Sequence, residues 1–121
     1  MLNIIVLEVE SSENNGYRQT ASTGTSMGTW DKNNVFDYDH LKRDYIPTMK
    51  RYFDKKANVP YLFNSTTRIW ISYEDTESVN RKAQYIKDTR LRGAHLWDLC
   101  SDQKGELIDV IHRTLVDIFD S

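Results

Sequence analysis

Three short runs of aromatic and aliphatic residues, separated by two turns, most constrain how this chain can fold. The runs cover residues 51–54, 59–63 and 68–73, and the turns between them are rich in Lys, Asn, Ser and Thr. Strands joined by connections this short pair antiparallel, because a parallel crossover needs on the order of a dozen residues. The middle of the chain is therefore predicted to form a small antiparallel sheet.

Apolar side chains at helical spacing flank this sheet. They predict three helices, over residues 39–46, 79–89 and 105–119. Pro47 ends the first helix, because the residue before a proline is disfavoured in helical conformation. Asp75 or Thr76 is placed to cap the start of the second helix.

Two further runs, residues 2–9 and 94–99, are candidate buried strands. Residues 2–9 are almost continuously apolar, which is typical of a strand covered on both faces in a parallel α/β sheet. Residues 94–99 are expected to form a second strand, parallel to the first. The order strand, antiparallel insert, helix, strand, helix predicts an α/β chain of two βα units, with a small α+β domain inserted after the first strand.

Composition excludes several classes of partner. The chain has 121 residues, 28% of them charged, and a net charge of -2 with acids and bases interspersed, so neither nucleic acid nor a membrane surface is an expected partner. One cysteine allows no internal disulfide, and the three histidines lack metal-ligand spacing, so no metal or cofactor is expected. The N-terminal run has no basic residue before it and no small-residue cleavage pattern, so it is not predicted to be a signal peptide.

Three collinear segments form the most specific pattern in the chain. They are Gly28-Thr29-Trp30-Asp31 with Val35-Phe36-Asp37-Tyr38; Val59-Pro60-Tyr61-Leu62-Phe63 with Ile71-Ser72-Tyr73-Glu74-Asp75, Ser78-Val79 and Lys82-Ala83; and Leu91-Arg92-Gly93-Ala94-His95-Leu96-Trp97-Asp98. In this order and spacing they resemble the C-terminal part of family-18 chitinases, the members that carry an inserted α+β domain. The resemblance covers roughly three quarters of the chain, from residue 28 to about residue 115.

The resemblance implies a particular architecture. Family-18 chitinases fold as a (β/α)8 barrel with the insertion after strand seven, so the chain would be a C-terminal fragment of a TIM barrel carrying that domain. Residues 1–12 would then be barrel strand seven, residues 13–73 the insertion domain, and residues 74–121 helix seven, strand eight and helix eight. The family leaves strand seven through Tyr-Gly-Arg, whereas residues 6–12 contain neither Tyr nor Arg.

The resemblance also implies a chemistry. Family-18 enzymes hydrolyse β-1,4-linked N-acetylglucosamine chains by substrate assistance, with a glutamic acid from an Asp-x-x-Asp-x-Asp-x-Glu motif on strand four as the proton donor. This chain has no such motif; Asp37-Tyr38-Asp39 is the nearest match, but Leu41 stands where the glutamate is needed. No residue of this chain is therefore predicted to be catalytic, and the chain alone is expected not to hydrolyse chitin.

Four residues are predicted to bind substrate. By resemblance, Trp97 at the end of strand eight forms the floor under the sugar, where an indole face suits a pyranose ring. Trp30 would stack on the sugar chain, and Asp31 and Asp98 stand where the family has an acid one carbon longer. Core packing between the two C-terminal helices is the alternative for Trp97, and a structural role at the strand end is the alternative for Asp98. Sheet packing is expected for Tyr52, Tyr61 and Trp70.

The expected partners are therefore chitin or N-acetylglucosamine oligomers, and the missing N-terminal barrel portion. The resemblance implies a secreted protein. Two other interpretations stay open: a non-catalytic carbohydrate-binding or interaction module derived from the family, and one half of a split enzyme.

Overall fold

A computed structural model describes residues 4–13, 16, 20–21, 29, 34–102 and 104–119, without the side chains of residues 4–5 and 117–119. Five antiparallel strands form one sheet in the order β2-β1-β5-β4-β3. The strands are β1 (Ile4–Glu8), β2 (Val35–Phe36), β3 (Lys50–Asp54), β4 (Val59–Asn64) and β5 (Ile69–Ser72). The helices are α1 (Tyr38–Asp44), α2 (Thr76–Asp88) and α3 (Glu106–Phe119), with a 3-10 turn at Leu99–Ser101.

The two turns that join β3, β4 and β5 are closed by side chains. Asp54 and Asn64 each accept two backbone N–H groups, from residues two and three positions further on, at 2.8–3.1 Å. Asn58 and Arg68 complete the turns with positive φ angles of 56° and 58°. These local bonds close the turns between neighbouring strands, and the predicted antiparallel sheet is confirmed.

The first strand is paired differently from the prediction. β1 lies inside the same sheet, antiparallel to β2 on one side and to β5 on the other. The expectation that residues 2–9 form a strand parallel to residues 94–99 is therefore wrong. A continuous apolar run indicates a strand covered on both faces, but it does not distinguish a parallel strand from a central antiparallel one.

Residues 94–99 are the second correction. They are not a strand: residues 94–98 are irregular, and Leu99 begins the 3-10 turn. Among the described residues, no backbone-to-backbone hydrogen bond involves residues 92–98. A strand is defined by pairing with a neighbour, and the described part of the chain places none beside this segment.

One face of the sheet packs against the helices and forms the core. The buried residues of this cluster are Val6, Phe36, Tyr38, Leu41, Leu62, Ile71, Tyr73, Val79 and Leu107. Three rings form a row on the sheet as expected, with centroids 5.2 Å apart for Tyr52 and Tyr61 and 5.6 Å apart for Tyr61 and Trp70. Because these rings stack on one another, their flat faces are largely occupied within the row.

Both ends of α2 are closed by recognisable caps. Asp75 accepts a hydrogen bond from the Ser78 N–H at 2.9 Å while Ser78 Oγ accepts from the Asp75 N–H at 3.0 Å, so Asp75 is the N-cap. At the other end, the Leu91 N–H donates to Ile86 and the Arg90 N–H donates to Lys87. This is a Schellman motif, and it directs the chain away from α2 towards Trp97.

The helices are also short. Within the ranges described above, none is long and apolar enough to cross a lipid bilayer.

Candidate functional site

Trp97 stands on the surface. Its side chain is 64% exposed, which rules out the alternative of a core tryptophan between the C-terminal helices. At this exposure the indole presents open apolar area to solvent, in contrast to the stacked Trp70. The Trp97–Asp98 peptide bond is cis.

Asp98 caps the 3-10 turn that follows Trp97. Its Oδ1 accepts hydrogen bonds from the N–H and the Oγ of Ser101, each at 3.1 Å. Its Oδ2 makes no hydrogen bond to any residue that the structure describes. The structural role expected as an alternative is thus present, and it leaves one carboxylate oxygen available for a ligand beside the indole.

Asp37 links this turn to the start of α1. It is 8% exposed, and its Oδ1 accepts a hydrogen bond from Ser101 Oγ at 3.0 Å. Its backbone N–H donates to Thr29 Oγ1 at 3.0 Å, and its carbonyl accepts from the Leu41 N–H at 3.0 Å. A single buried residue therefore connects three parts of the chain.

Thr29 is held from several sides. Its N–H donates to the Val35 carbonyl at 3.0 Å, and its Oγ1 lies 3.1 Å from His40 Nδ1. The other ring nitrogen of His40, Nε2, lies 3.0 Å from Asp44 Oδ2. Thr29 thus has a fixed position at the entrance to the segment that continues with Trp30.

The four predicted binding residues fall into two groups. Trp97 and Asp98 are described and adjacent, whereas Trp30 and Asp31 lie outside the described residues. The contacts of Ser101 and Asp37 were not predicted, because they join positions 64 residues apart and no spacing pattern points to them. Nor did the sequence assign a role to His40.

Two cavities lie near this region. One of about 450 Å³ is lined mainly by charged side chains, among them Lys42, Asp102 and Glu106. Another of about 270 Å³ lies between α2 and the segment before Trp97, with Val79, Leu91 and Leu96 in its wall. Trp97 and Asp98 line neither of them.

Two buried phenols, those of Tyr38 and Tyr73, belong to the core. Burial raises the pKa of Tyr38 well above its usual value, and Glu106 and Asp75 add to the effect. Burial, followed by the charge of Asp75, raises the pKa of Tyr73 to about 12. Both side chains are therefore neutral at physiological pH and cannot act as bases there.

The residues that could bind a metal ion do not cluster within the described ranges. In the part of the chain that the structure describes, no group of three His, Cys, Asp or Glu side chains could hold a metal ion. Cys100 is a free, exposed thiol.

Comparison with known proteins identifies the family. The profile of glycosyl hydrolases family 18 matches residues 5–102. The chain belongs to this family. Among curated relatives, the family-18 chain is 42% identical to chitinase A1 of Niallia circulans over 95 residues, which are 77% of this chain and 13% of that protein.

Solved structures give the same answer. Chitinase ChiA74 from Bacillus thuringiensis superposes with a TM-score of 0.79 at 31% identity, over 96% of this family-18 chain and 22% of that one. Human YKL-39 superposes with a TM-score of 0.84 over 95% of this chain and 33% of that one, and at 20% identity it shares the fold. The family-18 chain therefore spans less than a quarter of chitinase A1 or ChiA74.

Proposed function

We propose that this chain contributes the C-terminal part of the sugar-binding surface of a chitinase-type glycoside hydrolase acting on β-1,4-linked N-acetylglucosamine. The observation that carries the proposal is the exposed Trp97 indole next to Asp98, whose Oδ2 has no hydrogen-bond partner among the described residues. An indole face packs on the C–H face of a pyranose, and a carboxylate oxygen accepts a hydrogen bond from a sugar hydroxyl. The relatives named chitinases support this ligand class.

In this proposal Trp30 and Asp31 make the second sugar contact. The sequence places them directly after Thr29, whose position is fixed by Val35 and His40. Residues 13–73 would act as the insertion domain, now joined by β1 in one sheet, and residues 74–121 would supply the last barrel units. The protein containing them would work outside the cell.

Hydrolysis would require residues that this sequence does not contain. The Asp-x-x-Asp-x-Asp-x-Glu motif of the family is absent from the 121 residues. The proton donor would come from barrel strands on the same polypeptide or on a separate one. A non-catalytic binding role is the second candidate, and the absence of the motif favours it for the chain taken alone.

Titration with an N-acetylglucosamine tetramer tests the proposal. Trp97→Ala should weaken binding by about tenfold or more, which corresponds to ~1.4 kcal/mol. Trp30→Ala should weaken it as well. Tyr85→Ala is the matched control, because Tyr85 is 63% exposed on α2, close to the 64% of Trp97. Equal affinities of Trp97→Ala and Tyr85→Ala, measured by isothermal calorimetry, would contradict the proposed role of the indole.

A further inference from the structure

The turn after Trp97 is joined to the start of α1 by a buried hydrogen bond, from Ser101 Oγ to Asp37 Oδ1 at 3.0 Å. We propose that Ser101 and Asp37 are positioning residues, which hold the Trp97 indole in place before the sugar arrives. We refer to these two side chains as the Ser101–Asp37 bridge. The inference rests on the proposed function, and it names residues that touch neither the sugar nor the reacting bond.

Backbone pairing does not hold the segment that leads to Trp97. Residues 92–98 make no backbone-to-backbone hydrogen bond within the described part of the chain. Leu96 packs against the core and so anchors the segment just before Trp97. After Trp97, the capping contacts of Asp98 and Ser101 hold the beginning of the turn, and the buried Asp102 joins its end to the start of α3.

Ser101 links the cap of the turn to the start of α1. Asp98 closes the turn through Ser101, and Ser101 in turn binds the buried Asp37. A Ser hydroxyl has one proton, so the Oγ of Ser101 donates to one of the two carboxylates at a time, while the Ser101 N–H also donates to Asp98. Removing the Oγ of Ser101 therefore loosens the cap and removes this contact between the turn and α1 in one step.

Asp37 is also connected to the residue before Trp30, the second predicted sugar contact. Its N–H binds Thr29 Oγ1, which also contacts His40, and Thr29 directly precedes Trp30 in the sequence. The bridge thus connects the turn after Trp97 with the residue before Trp30. Two aromatic residues that bind one sugar chain need a defined separation, since ordering a loose side chain on binding weakens affinity.

Ser101→Ala, compared with Ser101→Thr, tests the bridge in the full chain. Two quantities are measured: affinity for the N-acetylglucosamine tetramer, and the heteronuclear NOE of the Trp97 indole N–H in the ligand-free chain. Ser101→Ala should lower the NOE and weaken binding by roughly two- to tenfold. Ser101→Thr keeps the hydroxyl and should retain both values. Ser65→Ala, in the exposed turn between β4 and β5, is the control and should change neither.

The outcomes separate the bridge from the proposed function. An unchanged NOE in Ser101→Ala overturns the inference, whether or not the chain binds sugar. A lowered NOE with unchanged affinity overturns it as well. A lowered NOE in a chain that binds no sugar supports the bridge and contradicts the proposed function. If Ser101→Ala does not fold, Asp37→Asn takes its place, with a smaller loss expected in the same direction, because the amide oxygen still accepts the bond.

Discussion

Tyr38 and Tyr73 place two phenols in the core beside charged groups. Tyr73 is 4% exposed, and burial together with Asp75 raises its pKa to about 12 from 10.0. The pKa of Tyr38 is shifted in the same direction, again chiefly by burial. Because the folded state holds these protons more tightly than the unfolded state, folding stability should depend on alkaline pH.

The sign of this dependence is definite. Above pH 10 the unfolded chain loses the phenolic proton of Tyr73 while the folded chain keeps it up to about pH 12. The contribution of Tyr73 to the free energy of unfolding should therefore be constant below pH 10 and fall between pH 10 and about 12. Tyr73→Phe should show a smaller decrease over this interval, measured by urea unfolding at a series of pH values. Equal slopes for wild type and Tyr73→Phe would contradict the assignment.

At the residue scale, the sequence pattern pointed to individual side chains but carried no information on the residues that contact them. Trp97 and Asp98 were singled out by a local motif, and the structure places them together on the surface. Their support by Ser101 and Asp37 could not be predicted. That contact depends on how the turn after Trp97 packs against α1, which is a property of the tertiary structure.

At the element scale, prediction worked wherever the signal was local. The strands β3, β4 and β5 begin and end within about one residue of expectation and the helix α2 within about three, because turns and caps define them. The parallel pairing expected for the strand at residues 2–9 and the strand expected at residues 94–99 failed for a common reason. Both needed knowledge of the neighbouring strand, and an apolar run does not carry that information.

The end of α2 offers a stability test. Arg90 occupies the position after the C-cap with φ 55°, where glycine is favoured because it has no Cβ. Its side chain has no hydrogen bond or ion pair to the described residues. Arg90→Gly should therefore raise the free energy of unfolding by about 0.5–1 kcal/mol.

Arg92→Gly is the matched control for this change. Arg92 is also exposed and lies two residues further on, but it has no positive φ angle. The added flexibility of glycine should leave stability unchanged or lower it slightly. Thermal and urea unfolding followed by circular dichroism distinguish the two variants. A decrease of similar size in both would mean that the left-handed conformation at Arg90 is not strained.

At the scale of the whole molecule, the chain belongs to family 18 but covers only a small part of the relatives that it matches. The chain matches the family profile over residues 5–102 but spans 13% of chitinase A1 and 22% of ChiA74. Family membership was recognisable because three separated segments kept their order and spacing. Those segments carry no information on the residues that the rest of an active site would need.

The isolated chain should release no product from chitin oligomers. Substrate-assisted hydrolysis still needs a proton donor at the leaving oxygen, and the motif that supplies it is absent from this sequence. The measurement is product analysis by mass spectrometry after long incubation, with a mock purification as the negative control and a full-length family-18 chitinase as the positive one. Turnover that co-purifies with the chain through successive columns would refute this expectation.

The central place of β1 in the sheet has a consequence for how the chain folds. β1 is synthesised before its neighbour β5, which lies about sixty residues further along the chain, as in the pair Glu8 and Ile69. The local hairpins of β3, β4 and β5 can form as soon as they are synthesised, whereas β1 must wait and then close a long loop. Such distant pairing raises contact order and slows folding. Until it occurs, the edge of β5 is open, and in this interval a newly made chain is most exposed to wrong pairing with its neighbours.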